Sequence, residues 1–192
     1  MKEDNREIEV KFSILSVDGL ADTIRETGAV CVQPVQFERN LRFDDKQGTL
    51  TENRKVLRLR SNGGASVLTW KSDSASTEEL ADREEIETGV EDFDRMKLIL
   101  ERLGYRTFFI YEKYRSIYSL RETGIFLDHT PIGDFVEIEG PDEEAIRETA
   151  EELGLCWDLR IGKGYRDLFK KWKEETGYTG SDMIFEKEQD ED

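Results

Sequence analysis

The chain is poor in the residues that carry the commonest catalytic and stabilising motifs: its 192 residues include two cysteines, three prolines and one histidine. Cys31 and Cys156 have no companions and no metal-ligand spacing, so they build neither a disulfide framework nor a thiolate metal site. Reduced thiols in a cytoplasmic protein are expected. No Ser-His-Asp or Cys-His arrangement is legible around the single His129, and no glycine-rich phosphate loop appears, since Gly162-Lys163-Gly164 is too short for one. No apolar run approaches the roughly 18 residues of a membrane helix. The acidic start lacks the apolar stretch of a signal peptide, and none is expected. Positive charge is also in deficit. Lys and Arg total 28 against 44 Asp and Glu, a net charge of −16, which argues against a nucleic acid or an anionic membrane as partner.

What is present is alternation. Glu7-Ile8-Glu9-Val10-Lys11-Phe12 changes between charged and apolar at every step, the period of a strand with one face buried. The pattern returns. Arg58 and Arg60 flank Leu59, Arg83, Glu85 and Glu87 share a face, Lys113 and Arg115 share another, and Glu137 and Glu139 flank Ile138. A closed antiparallel barrel turns alternate residues of every strand inward. Its lumen would then hold Arg and Lys beside clustered Glu, a cationic interior in an acidic shell. The segment Arg83-Glu85-Glu87 also fits a surface ladder of cross-strand ion pairs.

Element signals fill in the rest. Helices are expected over Val17–Thr27, Asp92–Leu103, Glu143–Leu153 and Tyr165–Thr176, with Gly28, Gly104 and Gly154 ending the first three. Strands are expected at Glu7–Phe12, Val35–Asp44, 54–61, 65–71, Arg83–Thr88, 107–120, 124–129 and 133–139. Asn62-Gly63-Gly64 turns a hairpin, and Ser72–Glu79 connects as a surface loop or a lid. The expected fold is α+β: an eight-stranded antiparallel barrel with four flanking helices, one domain over 1–178 and an acidic tail over 179–192. The order strand, helix, strands occurs twice, which hints at two related half-barrels.

The segments Glu7-Ile8-Glu9-Val10-Lys11, Leu57–Arg60, Leu68–Lys71, Arg83–Glu87, Glu112–Arg115, Gly133–Glu139 and Tyr165–Leu168 together resemble the CYTH superfamily, the triphosphate tunnel metalloenzymes. The resemblance runs in order over about residues 5 to 170 and includes class IV adenylate cyclases, thiamine triphosphatases and inorganic triphosphatases. It implies Mg²⁺ or Mn²⁺ at Glu7, Glu9, Glu137 and Glu139, with Asp128 and Glu85 joining them. It also implies phosphate contacts from Lys11, Arg39, Arg58, Arg60, Lys71, Lys113, Arg115 and Lys163, of which Lys11, Lys71 and Arg115, with Glu85, are taken as catalytic. Gly164 stands where the family has a serine, which puts a hydroxyl role there in doubt. His129 follows Asp128, so it should point away from a lumen that Asp128 faces. Trp70, between Thr69 and Lys71, should face outward, and Tyr111, Tyr114 and Tyr118 read as packing residues.

Three functions compete. The first is a metal-dependent phosphohydrolase acting on ATP, thiamine triphosphate or tripolyphosphate. The second is a class IV adenylate cyclase, which the run from Leu103 to Phe135 resembles. The third is a non-catalytic polyphosphate-binding module, which would have less need of four acidic positions. Hydrolysis is preferred because no base pocket can be located in the sequence. The expected partner is a small-molecule triphosphate, with a homodimer possible.

Overall fold

The computed structural model describes residues 6–72 and 76–186. Its eight strands are β1 (Arg6–Ile14), β2 (Val30–Asp44), β3 (Lys55–Ser61), β4 (Ser66–Ser72), β5 (Ala81–Val90), β6 (Arg106–Leu120), β7 (Thr123–Thr130) and β8 (Gly133–Gly140). They close into an antiparallel ring in the order β1-β5-β4-β3-β2-β6-β7-β8. Three helices lie on its outside, α1 (Val17–Glu26), α3 (Phe93–Arg102) and α4 (Glu143–Glu152), and a fourth, α5 (Tyr165–Thr176), brings Tyr165 and Phe169 against inward-facing residues of the ring. A fifth, α2 (Thr49–Glu52), is a single turn, and residues Trp157–Leu159 make a 3-10 turn. The ring of eight strands with flanking helices is the α+β architecture expected from the alternating charges.

Helix boundaries follow their caps. Ser16, Asp92 and Asp142 each accept a hydrogen bond from a backbone N–H in the first turn of α1, α3 and α4, satisfying donors that a helix start leaves free. The apolar faces of these helices decide which way the strands face. Ala21 and Ile24 of α1 and Ile146 and Ala150 of α4 pack with Val10, Ile125, Val136 and Ile138. Leu100, with Phe93 and Met96, covers Leu41, Phe43 and Leu59. On α5, Phe169 joins Phe109, Tyr111 and Phe135. The apolar strand residues under α1, α3 and α4 therefore point outward and the polar residues between them point into the ring, whereas Phe109, Tyr111 and Phe135 share the inward face with Lys113 and Glu137 and meet α5 inside it.

Three features depart from the expectation. Strand β2 starts five residues early, at Val30 rather than Val35. Pro34 has no N–H to donate, and the β2–β6 register shifts on either side of it, which hides the strand's first half from a simple period-two reading. The one-turn α2 forms because the buried Asp44 carboxylate accepts from the N–H groups of Leu50 and Thr51. The third is the segment after residue 178, expected as tail. Met183 is buried, donates its N–H to the Ile110 carbonyl (2.9 Å) and accepts from Glu112 N–H (2.9 Å). Residues 187–192, most of the acidic run, lie outside the described residues.

Candidate active site

The ring encloses a cavity of about 210 Å³. Strand β1 sends in Glu7, Glu9 and Lys11, β3 sends Arg58 and Arg60, and β4 sends Lys71. Strand β5 contributes Arg83, Glu85 and Glu87, β6 contributes Tyr111, Lys113 and Arg115, and β8 contributes Glu137 and Glu139. Arg42 of β2 and Gly164, Tyr165 and Arg166 at the start of α5 complete the polar wall. Nine cations face six carboxylates there, in a chain whose net charge is −16. The cationic interior inside an acidic shell is present.

The charges are organised into clusters. Lys71 Nζ donates to both Glu7 carboxylate oxygens (2.7 and 2.5 Å) and lies 3.1 Å from Glu85. Arg83 pairs with Glu9 at 3.2 Å, and the buried Lys11 with Glu137 at 2.7 Å. Asp128 is fully buried. It accepts from Lys113 Nζ (3.0 Å), from Arg115 Nε and Nη2 (2.6 and 2.5 Å) and from the Tyr165 hydroxyl (2.5 Å). Arg115 also donates to Glu137. The rings close over this base: Lys11 and Lys113 sit 4.7 and 5.0 Å from the Tyr165 ring centroid. On the other wall Arg58 donates to the Tyr111 hydroxyl (3.3 Å) and to Thr69 (3.2 Å). Arg60 reaches Glu38 at 3.7 Å and Glu87 at 3.9 Å.

These contacts set the proton affinities. Burial opposes the charge on Glu137, but the Arg115 and Lys11 cations override it and hold the carboxyl well below the usual range. Burial likewise opposes ionisation of Glu7, and Lys71 lowers it overall. Glu85 goes the other way. Burial, with the Glu7 and Glu87 carboxylates, pushes it up to about 8 against the pull of Lys71. Burial and the Asp128 carboxylate raise Tyr165 well above its ordinary value, so its hydroxyl stays protonated and donates.

Of the expected site residues, Glu7, Glu9, Lys11, Arg58, Arg60, Lys71, Glu85, Lys113, Arg115, Glu137 and Glu139 line the one cavity. Three do not. Arg39 is on the outer face of β2, half exposed and paired with Glu112. Lys163 is half exposed and paired with Glu78 at 3.2 Å. Asp128 faces inward from β7, in phase with Phe126, but is covered by the two cations and Tyr165 as given above. His129 points out, as expected, and bonds Asp134.

Arg42, Tyr111, Tyr165 and Arg166 line the cavity without having been anticipated. For Arg42 a signal was available. Leu41 and Phe43 must face the helices, so Asn40 and Arg42 must face inward and Arg39 outward.

The carboxylates suit a hard divalent cation in donor chemistry. Glu9 and Glu139 are direct cross-strand partners on β1 and β8, and Glu7 and Glu137 lie on the same face two residues from that pair in opposite directions, Glu137 opposite Lys11. Such oxygen donors are what Mg²⁺ and Mn²⁺ take, together with phosphate oxygens. Among the described residues, no three acids already converge at metal-holding distance; Glu7, Glu9 and Glu137 are each paired with a Lys or Arg.

Known proteins share this fold. A "Putative adenylate cyclase MJ0240" of Methanocaldococcus jannaschii is 24% identical over 172 residues, covering 84% of this chain and 97% of that protein. A Vibrio parahaemolyticus structure described in the same terms superposes with a TM-score of 0.77 at 22% identity, covering 88% and 99% of the two chains. The Hippeastrum protein HpAC1, described as a "putative adenylyl cyclase" with a dominant triphosphatase activity, superposes at 0.63 with 18% identity, covering 86% and 95%. The CYTH domain matches residues 5–164, and the chain belongs to that family.

Proposed function

We propose that the protein is a divalent-metal-dependent phosphohydrolase of linear triphosphates. The observation that carries this reading is the lumen itself, in which nine cations and six carboxylates face one another inside an acidic shell. A triphosphate brings about four negative charges, and fixed guanidinium and ammonium groups supply charge-assisted hydrogen bonds to its oxygens. Arg58, Arg60, Lys71 and Arg115 bind and orient the phosphates, with Lys11 and Lys113 adding charge from the floor. Asp128 and Tyr165 hold Lys113 and Arg115 in place. Glu9 and Glu139, with Glu7 and Glu137, would hold Mg²⁺ or Mn²⁺. When bound, the metal supplies charge neutralisation and acidification of water. The pre-set cations stabilise charge that builds on the transferred and leaving phosphates.

Hydrolysis is favoured over cyclisation by the state of the aromatic wall. Arg115 lies over the Phe126 ring at 4.8 Å, Lys11 and Lys113 lie over Tyr165, and Tyr111 stacks on Phe109. Each lining aromatic already has a cation or another ring packed against it. The second reading, conversion of ATP to cyclic AMP and pyrophosphate, draws support from the name of the M. jannaschii relative. Incubation with Mg²⁺ or Mn²⁺ and, in turn, tripolyphosphate, thiamine triphosphate and ATP, with products separated, decides between them. Orthophosphate from tripolyphosphate is expected. Cyclic AMP with pyrophosphate as the main products of ATP would overturn the hydrolase reading.

A further inference from the structure

Two lining cations differ from the others. Lys11, Arg58, Arg60, Lys71, Arg83, Lys113 and Arg115 each have a carboxylate within 4 Å. Among the described residues, the side chains of Arg42 and Arg166 have neither an ion-pair partner nor a hydrogen bond. Arg42 comes from the inner face of β2 and Arg166 from the first turn of α5, and both guanidiniums lie against one ring, 5.9 and 5.1 Å from the centroid of Phe108. Arg42 Nε is buried with nothing to bond. A buried donor left unpaired costs about 1–3 kcal/mol, and two like charges on one ring repel. Burial, with the neighbouring Arg58 and Arg166 cations, pushes Arg42 down to about 10 in spite of Tyr111 and Asp167. Asp167 is exposed and forms no ion pair with either arginine.

The position of this pair adds direction. Strand β2 stands four places round the ring from β1 whichever way it is counted, so Arg42 faces the lumen from across Glu7 and Glu9. Arg166 and Phe108 also border two clefts on the outer surface. One side of the lumen, β8-β1-β5, is thus rich in carboxylates and the facing side carries two unpartnered guanidiniums.

Resting on the triphosphate reading above, we infer that Arg42 and Arg166 form an anion subsite that seats the free terminal phosphate of a linear triphosphate. The phosphate chain then spans the lumen from the Glu9–Glu139 side to the Arg42–Arg166 side. A terminal phosphate carries the greatest charge per group, and two guanidinium forks answer it with parallel N–H donors. Pyrophosphate, one phosphate shorter, cannot occupy both sides at once. The subsite therefore sets the minimum chain length of the substrate.

Calorimetry on the Mg²⁺-loaded protein with the imido analogues of tripolyphosphate and pyrophosphate tests this. Arg166→Gln and, separately, Arg42→Gln should each weaken the tripolyphosphate analogue by about tenfold or more, the loss of a charge-assisted contact, and leave the pyrophosphate analogue within about twofold. If Arg42→Gln fails to fold, Arg166→Gln, on a half-exposed residue, carries the test. Unchanged tripolyphosphate affinity, or equal losses for both ligands, overturns the subsite while leaving the triphosphatase reading intact. Failure of the unmodified protein to bind the tripolyphosphate analogue overturns both.

Discussion

At the scale of single residues, the carboxylates divide by the sign of their perturbation. The Glu85 carboxyl, raised from 4.5 to about 8, keeps a proton in the folded state that the unfolded chain has already released. Stability of the metal-free protein should therefore fall as pH rises from about 5 to about 8. Glu7, Glu38, Glu87 and Glu137 are lowered, so their contribution is present above about 4.5 and is lost as pH falls below it. Thermal melts in EDTA should show a maximum near pH 5, and Glu85→Gln should flatten the alkaline side of it; an unchanged slope in that variant would remove Glu85 as its cause. Arginine placement gives a second expectation. Arg58→Ala or Arg60→Ala should weaken a slowly hydrolysed triphosphate by about 2–3 kcal/mol in calorimetry, whereas Arg39→Ala should leave it unchanged. The last point also measures what the sequence made legible. Arg58, Arg60, Lys113 and Arg115 sit in short alternating runs, and their facing was readable. Arg39 sits in Glu38-Arg39-Asn40-Leu41-Arg42-Phe43, where charge alone does not settle the parity; the apolar Leu41 and Phe43 do, because helices cover the outside of this ring.

At the scale of elements, the clearest dependence lies where two connections meet. Ile161 and Lys11 exchange both backbone hydrogen bonds (2.9 and 2.8 Å), and Gly162 donates its N–H to the Glu78 carbonyl (2.8 Å). A Cβ on Gly162 would come within 2.5 Å of Leu80 N and 2.7 Å of the Thr77 carbonyl, both backbone atoms that cannot swing aside. Gly162→Ala should cost about 1–3 kcal/mol, the usual penalty of overpacking, and chemical denaturation should show it. Gly164→Ala, with nothing within 4 Å, should change stability by less than about 1 kcal/mol. The same connection explains why the expected Ser72–Glu79 loop is pinned at its far end: Glu78 and Glu79 pair with Lys163 and Arg160. The elements that the sequence hid are those held by tertiary contacts. Helix α2 has one turn and no periodicity, and depends on the Asp44 carboxylate. Residues 182–185 have no strand pattern of their own. They dock because the Ile110 and Glu112 backbone offers unpaired groups and because Phe185 packs on Tyr114 and His129.

For the whole molecule, connectivity and charge act together. Exchanging β1 with β5, β2 with β6, β3 with β7 and β4 with β8 maps the strand order of the ring onto itself, so the repeated strand–helix–strand order in the sequence is a two-fold relation in the closed structure. The charges do not obey that symmetry. Glu137 and Glu139 on β8 correspond to Thr69 and Lys71 on β4, and the lumen is polarised as a result, with carboxylates concentrated where β1 meets β8. In the free protein Glu7, Glu9 and Glu137 are held by Lys71, Arg83, Lys11 and Arg115, and a triphosphate with its metal would replace internal ion pairs by bonds to ligand. Binding confined to the folded state stabilises it by about 2.7 kcal/mol at a hundredfold excess over Kd, which for a domain of this size corresponds to roughly 5–10 °C. Thermal melts should show that rise when tripolyphosphate analogue and Mg²⁺ are added together. Glu139→Gln removes one acid from the β1–β8 junction without opening a cavity, since the amide has the same shape. It should abolish metal-dependent turnover, keep the melting temperature of the metal-free protein at or above that of the unmodified chain through relief of like-charge repulsion, and lose the part of the ligand-induced shift that requires Mg²⁺. Retention of full metal-dependent turnover in Glu139→Gln would move the cation site away from this junction, and with it the direction in which the phosphate chain lies.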